Sequence, residues 1–202
     1  MVAAYATFAN EGVYTKPVMI TSIEDKNGTI LYQFKPETKD VLSDEAAYVT
    51  VKLLEVVTEG GSGTRLRTTG YEKWRPEYKE IIKCYPYEFK NPIAGKTGTT
   101  QNKMDGWFMG MVPNLVTGVW VGAEDRAAHF ASITYGQGAS MALPIWGLFM
   151  RSCYEDETLN VSKENFEAPK ELTIEVDCQN YTHEDDEGSS LPDTDTQDEF
   201  DF

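Results

Sequence analysis

The segment Ala94-Gly95-Lys96-Thr97-Gly98-Thr99-Thr100 brings a cation, three hydroxyls and two glycines to one short stretch. On a strand end these groups can hold an anion. Lys96 supplies a fixed positive charge, Thr97 and Thr99 supply hydroxyl donors, and Gly98 leaves the edge open to a substrate laid along it. A peptide carboxylate suits such a site. Gly-Lys-Thr also occurs in phosphate-binding loops, but there a glycine must stand five places before Gly95, where this chain has Lys90, and a helix must follow. Here Gly98, Asn102 and Gly106 break helicity and Trp107 onward reads as strand, so neither condition is met and a nucleotide-binding protein is the least favoured alternative.

Other candidates are weighed against plainer roles. Trp107, Phe108 and Trp120 have the aromatic faces that stack on sugars, yet on strands of this type such residues are expected in the core. Gly60-Gly61-Ser62-Gly63-Thr64-Arg65 has the composition of an anion cradle, but a glycine pair after a helix reads as its C-terminal cap and turn. Asp105 is placed either to orient Lys96 or simply to face solvent after a turn. His129 and His183 have no partner at ligand spacing, and Cys84, Cys153 and Cys178 lack paired spacing, so no metal or cofactor is expected.

The elements that must position the Lys96 strand are legible from periodicity. Val2, Tyr5, Ala6 and Ala9 sit at helical spacing with a stop at Asn10-Glu11-Gly12, so a helix begins abruptly at Met1. Pro17 to Glu24 reads as a strand, joined through Asp25-Lys26-Asn27-Gly28 to a second strand over Thr29 to Phe34. Ser43 is a helix N-cap, Asp44 and Glu45 suit the first turn, and Ala46, Val49, Leu53 and Val56 form the expected apolar stripe up to Gly60. Residues 62–91 read as a long surface excursion around Trp74 and Tyr78. Strands are then expected over Ile93 to Thr99, Trp107 to Val112 and Leu115 to Gly122, with Pro113-Asn114 turning the last two. Both faces of those two are apolar, which predicts cover on two sides. Ser140 to Cys153 is the covering helix, with Leu143, Trp146, Phe149 and Met150 on one stripe and Pro144 in its first turn.

Charge divides the chain at Tyr154. Residues 1–154 hold 16 acidic against 16 basic side chains, whereas 155–202 hold 17 acids against Lys163 and Lys170 alone. A neutral body with an acidic tail has no basic face for phosphates, which excludes nucleic acid as a partner. Residues 155–178 are expected to form an acidic connector that is partly ordered at most, and 179–202 a disordered tail too polar to pack. No apolar run approaches the roughly 20 residues that span a bilayer.

The chain resembles the class A, bifunctional penicillin-binding proteins over nearly all of residues 1–154. The resemblance is carried by Ala4-Tyr5-Ala6-Thr7-Phe8-Ala9-Asn10-Glu11-Gly12, Gly63-Thr64-Arg65, the Ala94 to Thr100 segment, Asp105-Gly106-Trp107-Phe108-Met109-Gly110 and Pro144-Ile145-Trp146. It implies an α/β (α+β) architecture, a fragment of the serine β-lactamase/D-Ala-D-Ala transpeptidase fold with antiparallel strands and a packed C-terminal helix. That family uses Ser-x-x-Lys, Ser-x-Asn and Lys-Thr-Gly. None of the nine serines here has Lys three places on or Asn two places on, so only the third motif is present. In the family the helix resembling residues 1–11 follows the first two motifs, so the missing N-terminal half is expected upstream of Met1.

By the same resemblance Lys96 is the lysine that assists proton transfer. Thr97, Gly98 and Thr99 bind the carboxylate of a peptidoglycan stem peptide or a β-lactam, and the Thr99 N–H is one oxyanion-hole donor. The chain alone is expected to be inactive. The parent would act on the outer, periplasmic side of the cytoplasmic membrane, anchored by a segment that this chain does not contain. Two alternatives remain open: a non-catalytic partner that completes a split transpeptidase, or a truncated gene product without independent function.

Overall fold

A three-stranded antiparallel sheet carries the Lys96 segment, and helices lie on both of its faces. The computed structural model describes residues 1–67 and 87–177. The excursion around Trp74 and Tyr78, Cys84, Cys178, His183 and the 179–202 tail lie outside them. Residues Met1–Leu172 form one compact unit.

The first helix, α1 (Val2–Ala9), ends where Glu11 and Gly12 take positive φ of 53° and 86°. The glycine is required: a Cβ there would lie 2.3 Å from the Leu42 carbonyl oxygen. Two small hairpin-like sheets follow. Strands β1 (Val13–Thr15) and β4 (Thr38–Asp40) pair antiparallel around β2 (Ser22–Glu24) and β3 (Ile30–Gln33). The long strand expected over Pro17 to Glu24 is thus shortened to its last three residues, and the β1–β4 pairing is new. The expected turn forms at Asp25, whose carboxylate accepts from the Asn27 and Thr29 N–H groups at 2.8 and 2.9 Å.

Helix α2 (Asp44–Glu59) starts at the Ser43 cap, whose hydroxyl accepts from the Ala46 N–H at 3.2 Å. Its inward face differs from the expected one. Ala47, Val51, Glu55 and Thr58 are buried, while Leu53 and Val56 are 67% and 59% exposed. Two polar residues tolerate burial because each has a partner: Glu55 pairs with Lys52, and the Thr58 hydroxyl donates to the Ile93 carbonyl at 2.6 Å.

The main sheet has the order β5 (Ala94–Thr99), β6 (Asp105–Val112), β7 (Leu115–Gly122). Residues directly opposite share a face. Phe108 and its neighbours point to α4 (Gly138–Met141) and α5 (Leu143–Glu155), where they join Leu143, Trp146 and Met150 in one core cluster. Ala94 and Met111 point to the other face and pack with Val51 of α2 and Phe166. A short helix, α3 (Ile133–Gly136), precedes α4. The covering helix is therefore two helices, and Phe149 lies off the buried stripe at 47% exposure. Of the two strands expected to be covered on both faces only β6 is; β7 leaves Trp120 half exposed. The expected surface excursion also has core at its ends, since Arg65, Leu66, Tyr87 and Phe89 are buried.

After α5 the chain turns back. Asn114 donates to the Asn160 carbonyl and accepts from the Ser162 N–H, both at 2.8 Å, and Phe166 then enters the cluster of Val51, Ala94 and Met111. Burying this ring removes a large apolar area from water. Phe166→Ala is expected to lower unfolding free energy by about 2–4 kcal/mol, read by urea denaturation of the 202-residue chain. An unchanged midpoint would show that the ring contributes no packing.

Candidate active site

Strand β5 is the outer strand of the sheet, so one of its edges is unpaired among the described residues. Across the ladder the Thr100 N–H donates to the Asp105 carbonyl at 3.0 Å. Antiparallel alternation then turns the backbone groups of Thr97 and Thr99 outward, to the free edge. The side chains divide as well. Thr97 and Thr99 lie opposite Phe108 and Gly106, on the α4/α5 side, whereas Lys96 lies opposite Met109, on the α1/α2 side. Lys96 is exposed and its Nζ donates to the outward Thr97 carbonyl at 2.8 Å. The edge therefore carries an ammonium, the Thr97 hydroxyl and the Thr99 N–H within a span of four residues.

The frame holding this edge is made of buried and partly buried polar contacts. Arg67 donates to the Phe89 and Asn91 carbonyls and to the Thr58 hydroxyl, which itself anchors Ile93 just before β5. Burial pulls the Arg67 guanidinium below its ordinary pKa, opposed by the charges of Glu59 and Glu55. Gly95 is demanded by packing, since a Cβ would lie 2.8 Å from the Phe108 ring and 2.9 Å from the Met109 carbonyl oxygen. Gly98 has a packing reason too: its Cβ position is 3.2 Å from Trp107 Cβ, tight beside the neighbouring strand.

Two contacts to β5 were not legible in the sequence. The Gly138 N–H of α4 donates to the Thr99 hydroxyl at 3.0 Å, leaving the Thr99 proton free to donate elsewhere. This close approach needs glycine, because a Cβ on Gly138 would sit 2.3 Å from the Gly98 carbonyl oxygen. The second contact is from Ser62, whose hydroxyl lies 2.7 Å from that of Thr97. The Gly60 to Gly63 loop does cap α2, with the Gly60 N–H on the Val56 carbonyl, and it also reaches the β5 edge. A Gly-Ser-Gly after a helix carries no signal for a partner 35 residues away.

Asp105 does not touch Lys96. Its carboxylate accepts from the Thr100 hydroxyl and the Trp120 indole N–H, each at 3.0 Å, with Arg126 at 3.9 Å. It ties the β5–β6 turn to β7, and the orienting role weighed for it falls. Phe108 is in the core as expected, but Trp107 is half-buried and Trp120 nearly half exposed, their ring centres 6.4 Å apart. His129 is exposed, and Cys153 is a buried free thiol whose pKa burial pushes up. Among the described residues no three His, Cys, Asp or Glu side chains converge on a metal position, and no helix is long and apolar enough to cross a membrane.

The family description "Penicillin binding protein transpeptidase domain" matches residues 1–137. The chain belongs to this family, and its mixed helix and antiparallel-sheet architecture is that of the penicillin-binding transpeptidase fold. Among its relatives is penicillin-binding protein 1A of Aquifex aeolicus, 32% identical over 86% of this chain and 22% of the relative. The 1A protein of Clostridium novyi is 31% identical over 88% of this chain and 17% of its own length. The chain thus spans about a fifth of these relatives. The crystal structure of penicillin-binding protein 1A from Haemophilus influenzae superposes with a TM-score of 0.61 at 24% identity, covering 84% of this chain and 27% of that one.

Proposed function

We propose that this chain supplies the Lys-Thr-Gly edge of a serine-type D-Ala-D-Ala transpeptidase domain that cross-links peptidoglycan stem peptides on the periplasmic side of the cytoplasmic membrane. The observation that carries this reading is the edge of β5, unpaired among the described residues, along which the Lys96 ammonium, the Thr97 hydroxyl and the outward Thr99 N–H follow one another. Family membership and the relatives' names support it.

In this reading Lys96 holds positive charge beside the reacting centre and assists proton transfer. The Thr97 and Thr99 hydroxyls, with Gly98 between them, receive the carboxylate of the stem peptide or of a β-lactam. The Thr99 N–H faces the oxygen that becomes negative when the acyl carbon is attacked. A second donor and the attacking serine come from the N-terminal half of the domain. The outward apolar stripe of α2, with Leu53 and Val56 exposed, is a surface for that half to cover. Acyl transfer needs an attacking oxygen, and no serine here has the Ser-x-x-Lys setting that activates one.

The 202-residue chain alone is therefore expected to form no covalent adduct with a fluorescent penicillin. The same chain joined to a Ser-x-x-Lys and Ser-x-Asn half is expected to label. A labelled band from the chain alone on a denaturing gel would overturn the assignment of inactivity. Failure of the joined protein to label would overturn the transpeptidase reading itself.

A further inference from the structure

We propose that Ser62 is a positioning residue for the carboxylate subsite, acting through the Thr97 hydroxyl; this rests on the reading of β5 as a carboxylate-binding edge. The Ser62 and Thr97 hydroxyl oxygens are 2.7 Å apart, the distance of a good O–H···O hydrogen bond. Each hydroxyl has one proton and two lone pairs. One proton is used between them, so the pair retains a single outgoing proton, and an anion at the β5 edge orders the chain as hydroxyl to hydroxyl to anion. A hydroxyl that accepts one hydrogen bond donates a stronger one, so Ser62 both aims the Thr97 proton and strengthens it.

The loop that presents Ser62 is held on both sides. On one side the Gly60 and Gly61 N–H groups donate to the Val56 carbonyl and the Gly63 N–H to the Val57 carbonyl at 2.8 Å. On the other, the buried Arg65 guanidinium donates to the Ala139 carbonyl and the Ser140 hydroxyl, both at 2.9 Å. Ala139 follows Gly138, whose N–H grips the Thr99 hydroxyl. One loop therefore contacts the edge directly at Thr97, and through Arg65 it reaches the helix that holds Thr99. Ser62 itself is exposed, and its hydroxyl meets the edge at Thr97. The nearest fixed charge on the strand is the Lys96 ammonium, bonded to the Thr97 carbonyl, which favours an anionic ligand over a neutral one.

The test is an NMR titration of the isotope-labelled full chain with N-acetyl-D-alanyl-D-alanine and with its C-terminal amide. In the parent chain the free acid is expected to shift the Thr97, Gly98 and Thr99 signals and to bind about tenfold more tightly than the amide. Ser62→Ala is expected to weaken the acid about fivefold, to leave the amide unchanged, and to leave the rest of the spectrum in place. Ser62→Thr, which keeps a hydroxyl, restores acid binding to within about twofold of the parent on the same grounds. Equal acid binding by Ser62→Ala, or an equal loss for acid and amide, overturns the positioning role. Absence of any preference for acid in the parent chain instead overturns the carboxylate reading of β5, and the role of Ser62 with it.

Discussion

Lys96→Ala lowers the rate of acylation by penicillin about a hundredfold or more in a protein that joins this chain to a Ser-x-x-Lys half, while its melting temperature stays within a degree or two of the parent. The first effect follows from charge. Lys96 is the cation of the motif, and a preorganised charge beside the reacting centre contributes roughly 2.7–4 kcal/mol to the transition state, where each 1.36 kcal/mol or so is tenfold in rate. The second follows from position: the side chain is exposed and makes its hydrogen bond to the Thr97 carbonyl at the strand's free edge, not within the core. Thr97→Ser is the control. It keeps the hydroxyl that meets Ser62 and costs far less than the loss of the ammonium. Stopped-flow acylation with a fluorescent penicillin reads both. A parent-like rate for Lys96→Ala, or loss of soluble protein, would make β5 structural and remove the chemistry assigned to it.

Trp146→Ala costs about 3–5 kcal/mol of stability, the largest stability loss expected of any single truncation considered. The ring is fully buried and meets Phe108 edge to face at 5.2 Å, between α5 and the sheet. It lies so close to β6 that a Cβ on Gly110 would fall 2.4 Å from two of its ring carbons. Gly110→Ala alone is therefore overpacked and expected to cost about 1–3 kcal/mol. The two changes must couple, because the void left by Trp146→Ala accommodates the added methyl. In a double-mutant cycle the pair should cost less than the sum of its members by about 1 kcal/mol or more. Urea unfolding of the four chains measures this. Simple additivity would mean that Gly110 and the ring do not meet.

Much of the local structure is legible in the sequence. The Ser43 cap with Asp44 and Glu45, the Asp25 to Gly28 turn and the bounds of β7 are short-range signals, each settled within a few residues by hydrogen bonding and backbone sterics. The buried face of α2 departs from its apolar stripe for a physical reason. Ala46, Val49, Leu53 and Val56 and the truly buried Ala47, Val51, Glu55 and Thr58 lie on different faces of one helix, and periodicity does not say which face meets a partner. Glu55 and Thr58 are polar, so their burial depends on Lys52, Arg67 and the Ile93 carbonyl, none of which announces itself in sequence as their partner. Phe166 stands alone in an acidic run, where one aromatic among charges carries no periodicity, and the pocket that takes it is assembled from Val51, Ala94 and Met111.

The sequence by itself determined the chemistry available: Lys96, Thr97, Gly98 and Thr99 in order, the strands that flank them, and the lack of a serine in a Ser-x-x-Lys or Ser-x-Asn setting. Those are properties of residue type and short spacing, which a linear chain carries intact. Only the tertiary structure decided how that chemistry is presented. Lys96 and the two threonines go to opposite faces because a strand alternates its side chains, and among the described residues the edge is unpaired because β5 is outermost in its sheet. Ser62 reaches Thr97, and Gly138 reaches Thr99, across separations of 35 and 39 residues. Contacts of that range form only when α2, α4 and the sheet pack together, and packing responds to the summed burial of many side chains rather than to any local pattern.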